Sequence, residues 1–239
     1  MPLGRLLEIS LATPDVAASL AFYESLGFVQ ARVGEAWPHA YAVVTDGRVS
    51  LGLHGNEFES PLPTWVAPAL RERVSVLQAL GIELEDARLD DLALHQMLLR
   101  APTGQLLRLL EARTFSPPDV SAAHSSRLGY FEEYALASHE PVADGAWWES
   151  LGFVAFEPVT EPFGKVVACS RDLNVGLYDL DLDGPALVFS AADMDTRIVA
   201  LREQGHRFAR RLPRALAASG AAILEAPEGT RLLLLTDEP

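Results

Sequence analysis

The sequence predicts an α+β protein made of four βαβββ modules. Three observations carry that prediction: an internal repeat spanning almost the whole chain, strand-period and helix-period apolar patterns alternating within each copy, and a patternless stretch between the copies. The segment Ala21 to Phe28 (AFYESLGF) returns 125 residues on as Ala146 to Phe153 (AWWESLGF). Leu6 to Ala12 (LLEISLA) returns as Phe131 to Ala137 (FEEYALA), Val49 to His54 (VSLGLH) as Leu173 to Tyr178 (LNVGLY), and Ala101 to Gly104 (APTG) as Ala226 to Gly229 (APEG). The order is the same and the offset stays at 124 or 125, which chance does not produce. The copies run from about residue 4 to 112 and from about 129 to 237. We therefore place a first domain at 1–112, a second at 129–239, and between them a linker at 113–128, rich in Ser, Pro and Ala.

Each module follows from its residues in order. Leu7, Ile9 and Leu11 alternate with Glu8 and Ser10, the period of a half-buried strand. Thr13-Pro14 supplies an N-cap and a proline for the first helical position, and the apolar stripe from Val16 to Leu26 stops at Gly27. Phe28 to Val33 and Ala40 to Thr45 read as strands, and Asp46-Gly47 turns the chain into a third strand at Val49 to His54. The pattern recurs: a short strand near Leu62 to Val66, a helix from Ala69 to Leu80 stopped by Gly81, then strands at Ile82 to Ala87, Leu92 to Arg100 and Gln105 to Glu111. The second copy repeats the series, with Ala186 to Ser190 as a strand and Asp193 to Gln204 as a helix that Gly205 ends.

Composition excludes several roles. The formal charge of −14 works against phosphate backbones, so no nucleic-acid partner is expected; an acidic field either steers cationic ligands or keeps the protein soluble. No stretch approaches the roughly 18 uncharged apolar residues of a membrane helix, and the amino terminus lacks a basic region followed by an apolar run. No membrane partner is expected, and the expected location is the cytoplasm. The single cysteine, Cys169, sits among Val166, Val167 and Ala168 and reads as a buried, inert thiol. Phosphate-cradling glycine loops, nucleophile elbows and paired-cysteine metal motifs are absent from the sequence.

Four phrases together resemble the vicinal oxygen chelate superfamily, which includes glyoxalase I, bleomycin-resistance proteins and extradiol dioxygenases. They are the helix end Phe22 to Phe28, the strand Leu51 to His54 (LGLH), the helix end Leu77 to Ile82, and the Pro-x-Gly turn Pro102 to Gly104. The resemblance covers nearly the whole chain outside the linker. It implies two glyoxalase/bleomycin-resistance-like domains whose curled mixed sheets enclose pockets, with modules paired within a domain in some members and exchanged between domains in others. Metal-binding members carry His, Gln or Glu at four inward positions. Here those positions fall on Glu8, Gly52, approximately Leu62 and Arg108 in the first copy, and on Glu133, Gly176, Ala186 and Leu233 in the second. One carboxylate per copy, with a guanidinium added in the first, is a poor cage for a divalent cation. No cofactor is therefore expected, with a divalent metal held through His39, His54 or His95 as the lesser alternative.

The candidate site residues follow from strand parity. Glu8 and Glu133 occupy equivalent inward positions, where a carboxylate is either paired for structure or a working acid/base group. Arg108 is the natural counter-charge of Glu8 if modules pair within a domain, or shares a cavity with Glu133 if they exchange; it forms a salt bridge or grips a ligand carboxylate or phosphate. His54 and Tyr178 lie two residues past Gly52 and Gly176, in the concavity or on its rim. Trp37, His39 and Tyr41 flank the hairpin that walls such pockets, with Trp65 as a further aromatic candidate, whereas Trp147 and Trp148 read as core. The expected function is binding of a small molecule, by antibiotic or metabolite sequestration. The alternative is a lyase, isomerase or ring-cleaving dioxygenase with an atypical metal or with Glu8 as a metal-free base. The expected assembly is a monomer or weak homodimer.

Overall fold

The computed structural model describes residues 3–34, 37–90, 94–115 and 125–236. In chain order the first repeat contributes β1 (Arg5–Ala12), α1 (Val16–Ser25), β2 (Val29–Ala31), β3 (Tyr41–Thr45), β4 (Ser50–His54), β5 (Leu62–Ala67), α2 (Leu70–Ala79), β6 (Leu84–Arg88), β7 (Gln96–Arg100) and β8 (Leu106–Glu111). The second contributes β9 (Tyr130–Ala137), α3 (Pro141–Ser150), β10 (Val154–Ala155), β11 (Lys165–Cys169), β12 (Asn174–Tyr178), β13 (Ala186–Ala191), α4 (Met194–Glu203), α5 (Arg214–Ala218), β14 (Ala222–Glu225) and β15 (Arg231–Thr236). Among the described residues the strands form two mixed sheets, one of eight strands in the order β2-β3-β4-β1-β5-β8-β7-β6 and one of seven in the order β10-β11-β12-β9-β13-β15-β14.

Each sheet draws its strands from one repeat, so modules pair within a copy: β1 runs antiparallel to β5, and β9 to β13. That removes the exchange alternative, and Arg108 shares a face with Glu8. The α+β class holds, but the fourth module departs from βαβββ. Between α4 and β14 the counterpart of β6 is reduced to a bridge from Phe208 to Leu224, flanked by backbone hydrogen bonds from Ala209 N to Ile223 O at 2.8 Å and from Glu225 N to Arg207 O at 2.9 Å, and the short helix α5 follows.

Details differ from the sequence expectation where side-chain hydrogen bonds compete. The cap of α1 is Asp15, whose carboxylate accepts from Ala18 N at 3.0 Å, because Thr13 Oγ1 is engaged with Ser19 Oγ at 2.8 Å. Gly27, at φ +91°, ends that helix as expected. The strand expected from Leu92 starts at Gln96, and residues 91–93 lie outside the described set. Of the expected linker, 116–124 lie outside it as well, while Leu128 is buried in the core.

Helices cover one face of each sheet, and a continuous apolar core runs through both repeats, with Phe28 meeting Phe189 edge-on at 6.2 Å between ring centres. Polar ties flank it. Ser19 and Tyr23 on α1 donate to the Glu228 carboxylate at 2.8 and 2.7 Å. Arg5 pairs with Asp172 at 2.7 Å, and at the repeat-related place Arg48 lies over the Tyr130 ring at 3.5 Å. Trp148, the counterpart of Tyr23, is fully buried in this core as expected. Among the described residues, no helix is long and apolar enough to cross a membrane.

Candidate functional site

The alternation of β1 sends Ile9 and Leu11 into the helix-covered core and Glu8 and Ser10 to the opposite, concave face. The strand was expected to be half-buried. It is buried on both faces because the concave side is itself closed over. Across the sheet Glu8 stands opposite Thr64, Thr64 opposite Arg108, Ser10 opposite Gly52, and Tyr41 opposite His54.

These side chains form one connected network. Glu8 Oε1 accepts from Ser10 Oγ and pairs with His54 Nε2, each at 2.6 Å, while Oε2 accepts from Tyr41 OH at 2.5 Å. His54 Nδ1 in turn lies 3.0 Å from His39 Nε2. Arg108 donates to Ser10 Oγ at 2.7 Å and to Thr64 Oγ1 at 3.1 Å. Ser10 thus stands between Glu8 and Arg108, and no direct ion pair joins the two charges. Glu8 and His54 are 1% exposed and Arg108 8%. Above this floor the guanidinium lies 5.3 Å from the Trp37 ring centre and 5.5 Å from that of Phe58. Trp37, His39, Tyr41 and Phe58 are half-buried and form the wall between floor and solvent.

Room for the carboxylate comes from Gly52. A Cβ there would lie 2.2 Å from Glu8 Cδ, so no other residue type leaves Glu8 in place. Burial pushes the Glu8 carboxyl up, but the hydrogen bond and charge of His54, with the hydroxyls of Ser10 and Tyr41, outweigh it and hold the group below its ordinary value. Burial lowers Arg108, with Glu8 and Tyr41 opposing, and raises Tyr41 far above a free phenol. Burial, then the charges of His54 and Arg108, hold His39 below its ordinary 6.5.

The signs fix a pH dependence. His39 binds a proton more readily unfolded, so stability is expected to fall as pH drops through 6.5 toward its lower folded value. Glu8 binds its proton less readily when folded, so its contribution is present above 4.5 and fades as pH falls through its depressed value. Urea midpoints measured against pH should show both limbs in the wild type. His39→Gln should shrink the upper one, which His206 shares, and Glu8→Gln the lower, which Glu85, Glu111 and Asp193 share; variants whose limbs are unchanged would show that these groups do not titrate with folding.

The second concavity begins alike and ends differently. Glu133 is 3% exposed, and its Oε1 accepts from Tyr178 OH at 2.5 Å and pairs with Lys165 Nζ at 2.6 Å. A Cβ at Gly176 would lie 2.5 Å from that oxygen. Beyond this pair the space is filled: Ala186, Val188, Leu216, Ile223 and Leu233 pack into an apolar cluster with Tyr178, on which Phe163 stacks at 5.2 Å.

No protein-family model matches the sequence, and no curated protein matches it either. Solved structures do match in shape. A catechol 2,3-dioxygenase aligns with 100% of this chain and 89% of its own at TM-score 0.60 and 12% identity. A variant of homoprotocatechuate 2,3-dioxygenase from Brevibacterium fuscum aligns with 99% of this chain and 72% of its own at TM-score 0.62 and 16% identity. A variant of 4-hydroxymandelate synthase from Streptomyces coelicolor aligns with 99% and 93% at TM-score 0.58 and 14% identity. The chain has the vicinal oxygen chelate fold. At such identities the likeness is one of fold.

Leu62 and Ala186 lie on β5 and β13 opposite Ser10 and Ala135, while Thr64 and Val188 stand opposite Glu8 and Glu133. The donors present do not suit a divalent cation. Glu8, His54 and His39 form a chain in which each imidazole or carboxylate faces the next instead of a shared point, and Arg108 adds a positive charge beside them. Among the described residues no group of three or more His, Cys, Asp or Glu is placed to hold a metal ion.

Of the candidates, Glu8, His54, Arg108, Trp37 and Tyr41 meet in the first concavity and Glu133 and Tyr178 in the second; His54 and Tyr178 are buried, not on a rim. Trp65 lies in the helix-covered core, and His95 pairs with Glu111 at 2.9 Å, away from the site. Cys169 is half-buried instead of buried, its thiol raised by burial and by Glu133. Sequence reasoning missed Ser10, Thr64, Lys165 and Phe58. Ser10 shares the parity of Glu8 and was findable, whereas Phe58 sits in a loop without periodicity.

Proposed function

We propose that this protein is a metal-free small-molecule-binding protein whose ligand seats in the first concavity alone. The observation that supports this reading is the asymmetry of the two copies: one keeps a hydrogen-bonded Glu8–Ser10–Arg108 floor under half-buried aromatic walls, and the other is filled by apolar side chains. A planar ligand with one polar group would stack on Trp37 or Phe58 and reach Arg108 or His39, the chemistry of antibiotic or metabolite sequestration. The test is a thermal-shift screen over cationic glycopeptides, aromatic acids and thiol conjugates, since a ligand at a hundred times its Kd adds about 2.7 kcal/mol. Hits should lose affinity in Glu8→Gln and Arg108→Ala. Hits indifferent to both substitutions would place the ligand elsewhere.

A second reading has its own support in the chain Glu8–His54–His39. An ionised Glu8 can only accept, so it keeps a proton on His54 Nε2; with its other proton given up, His54 presents Nδ1 to the His39 Nε2 proton. His39 Nδ1 is left as the outermost basic atom, oriented for proton abstraction in a lyase or isomerase. In that case His39→Gln would abolish turnover and keep ligand affinity. No ring-cleaving step follows from this donor set.

A further inference from the structure

The loss of a strand from the fourth module exposes a second feature. Residues 207–214 (RFARRLPR) carry four arginines and no acid in a chain of formal charge −14. Three of them, Arg207, Arg210 and Arg211, join Arg231 around a groove of about 500 Å³ at the edge of the second sheet, with Asp183 and Glu225 as its acidic residues. We propose that this groove is a binding site for a small molecule bearing oxyanion groups, phosphate or carboxylate.

Structural pairing does not account for the arginines. Arg207 meets Glu225 at 3.0 Å and Arg231 meets Asp183 at 3.4 Å, and there the carboxylates run out. Arg210 and Arg211 have neither ion pair nor side-chain hydrogen bond among the described residues. Arg231 is only 14% exposed, and its Nε is buried without a hydrogen-bond partner, a donor whose desolvation an anion would offset. The repeat-related corner of the first copy has the opposite balance: there Arg100 alone is held by two carboxylates, Glu59 and Glu85. The groove has the volume of a small-ligand site and lies on an otherwise acidic protein, which opposes a polyanionic chain but not a compact anion.

Calorimetric titration of the full-length protein at low ionic strength, with pyrophosphate and separately with citrate, tests this. One-site binding of at least one probe is expected, and the preferred probe tells phosphate from carboxylate. Arg210→Gln/Arg211→Gln, both exposed, should weaken it by roughly tenfold or more without loss of folding. Glu8→Gln, in the other concavity, should leave it unchanged, so failure here is separable from failure of the first-concavity reading. Absence of binding to both probes, affinity untouched in the double variant, or tighter binding of a short single-stranded oligonucleotide than of either probe would each overturn the assignment.

Discussion

Gly52→Ala is expected to destabilise the protein by roughly 3–5 kcal/mol, the range for breaking a buried charge network. The added Cβ falls 2.2 Å from Glu8 Cδ, so the carboxylate must leave its bonds with His54, Ser10 and Tyr41. Arg108 and His54 then stay buried without their anion. Urea unfolding measures the loss, and a double-mutant cycle with Glu8→Ala should show strong non-additivity, because the second change removes the group that the first displaces. Gly176→Ala should also be costly: Glu133 is tied to Lys165, whose side chain is 25% exposed and can follow it toward water, but the added Cβ also falls 2.6 Å from the ring of fully buried Tyr178. A Gly52→Ala protein within about 0.5 kcal/mol of wild type, the range of neutral surface changes, would show that Glu8 is not held as described.

Leu216→Ala is expected to cost about 2–5 kcal/mol, as for other fully buried leucines. Leu216 on α5 closes the second concavity from above, against Val188, Ile223 and Leu233. Truncation should leave a dry apolar cavity that binds benzene or xenon. Benzene should therefore raise the Tm of the variant and not of the wild type. Equal shifts in both proteins would mean that the second concavity is already open.

Much of this arrangement was legible in the sequence. The repeat located both sheets, and strand parity put Glu8, Arg108 and Glu133 on the concave faces because a period of two leaves no freedom once one face is buried. What parity cannot see is an irregularity: the register shifts beside Glu8 and Glu133, where Leu7 and Glu132 enter the pairing as extra residues, leave no mark on the alternation. The fourth module misled for a different reason. Its missing strand is replaced by an Arg- and Pro-bearing stretch whose place is set by packing Leu212 and Leu216 over the concave face of its own sheet, a tertiary contact with no local periodicity. The filled concavity was invisible for the same reason, and with it the division of labour between the copies.

The ties that flank the core bear on how such a chain avoids joining the wrong copy. Two first halves from neighbouring molecules, docked as the two halves dock here, would set Arg5 against Arg48, the counterpart of Asp172. Two second halves would set Tyr130 against Asp172, exchanging a cation over a ring for an anion. Only unlike halves match, so the diverged copies carry a lock and key that disfavours docking between like halves of two molecules.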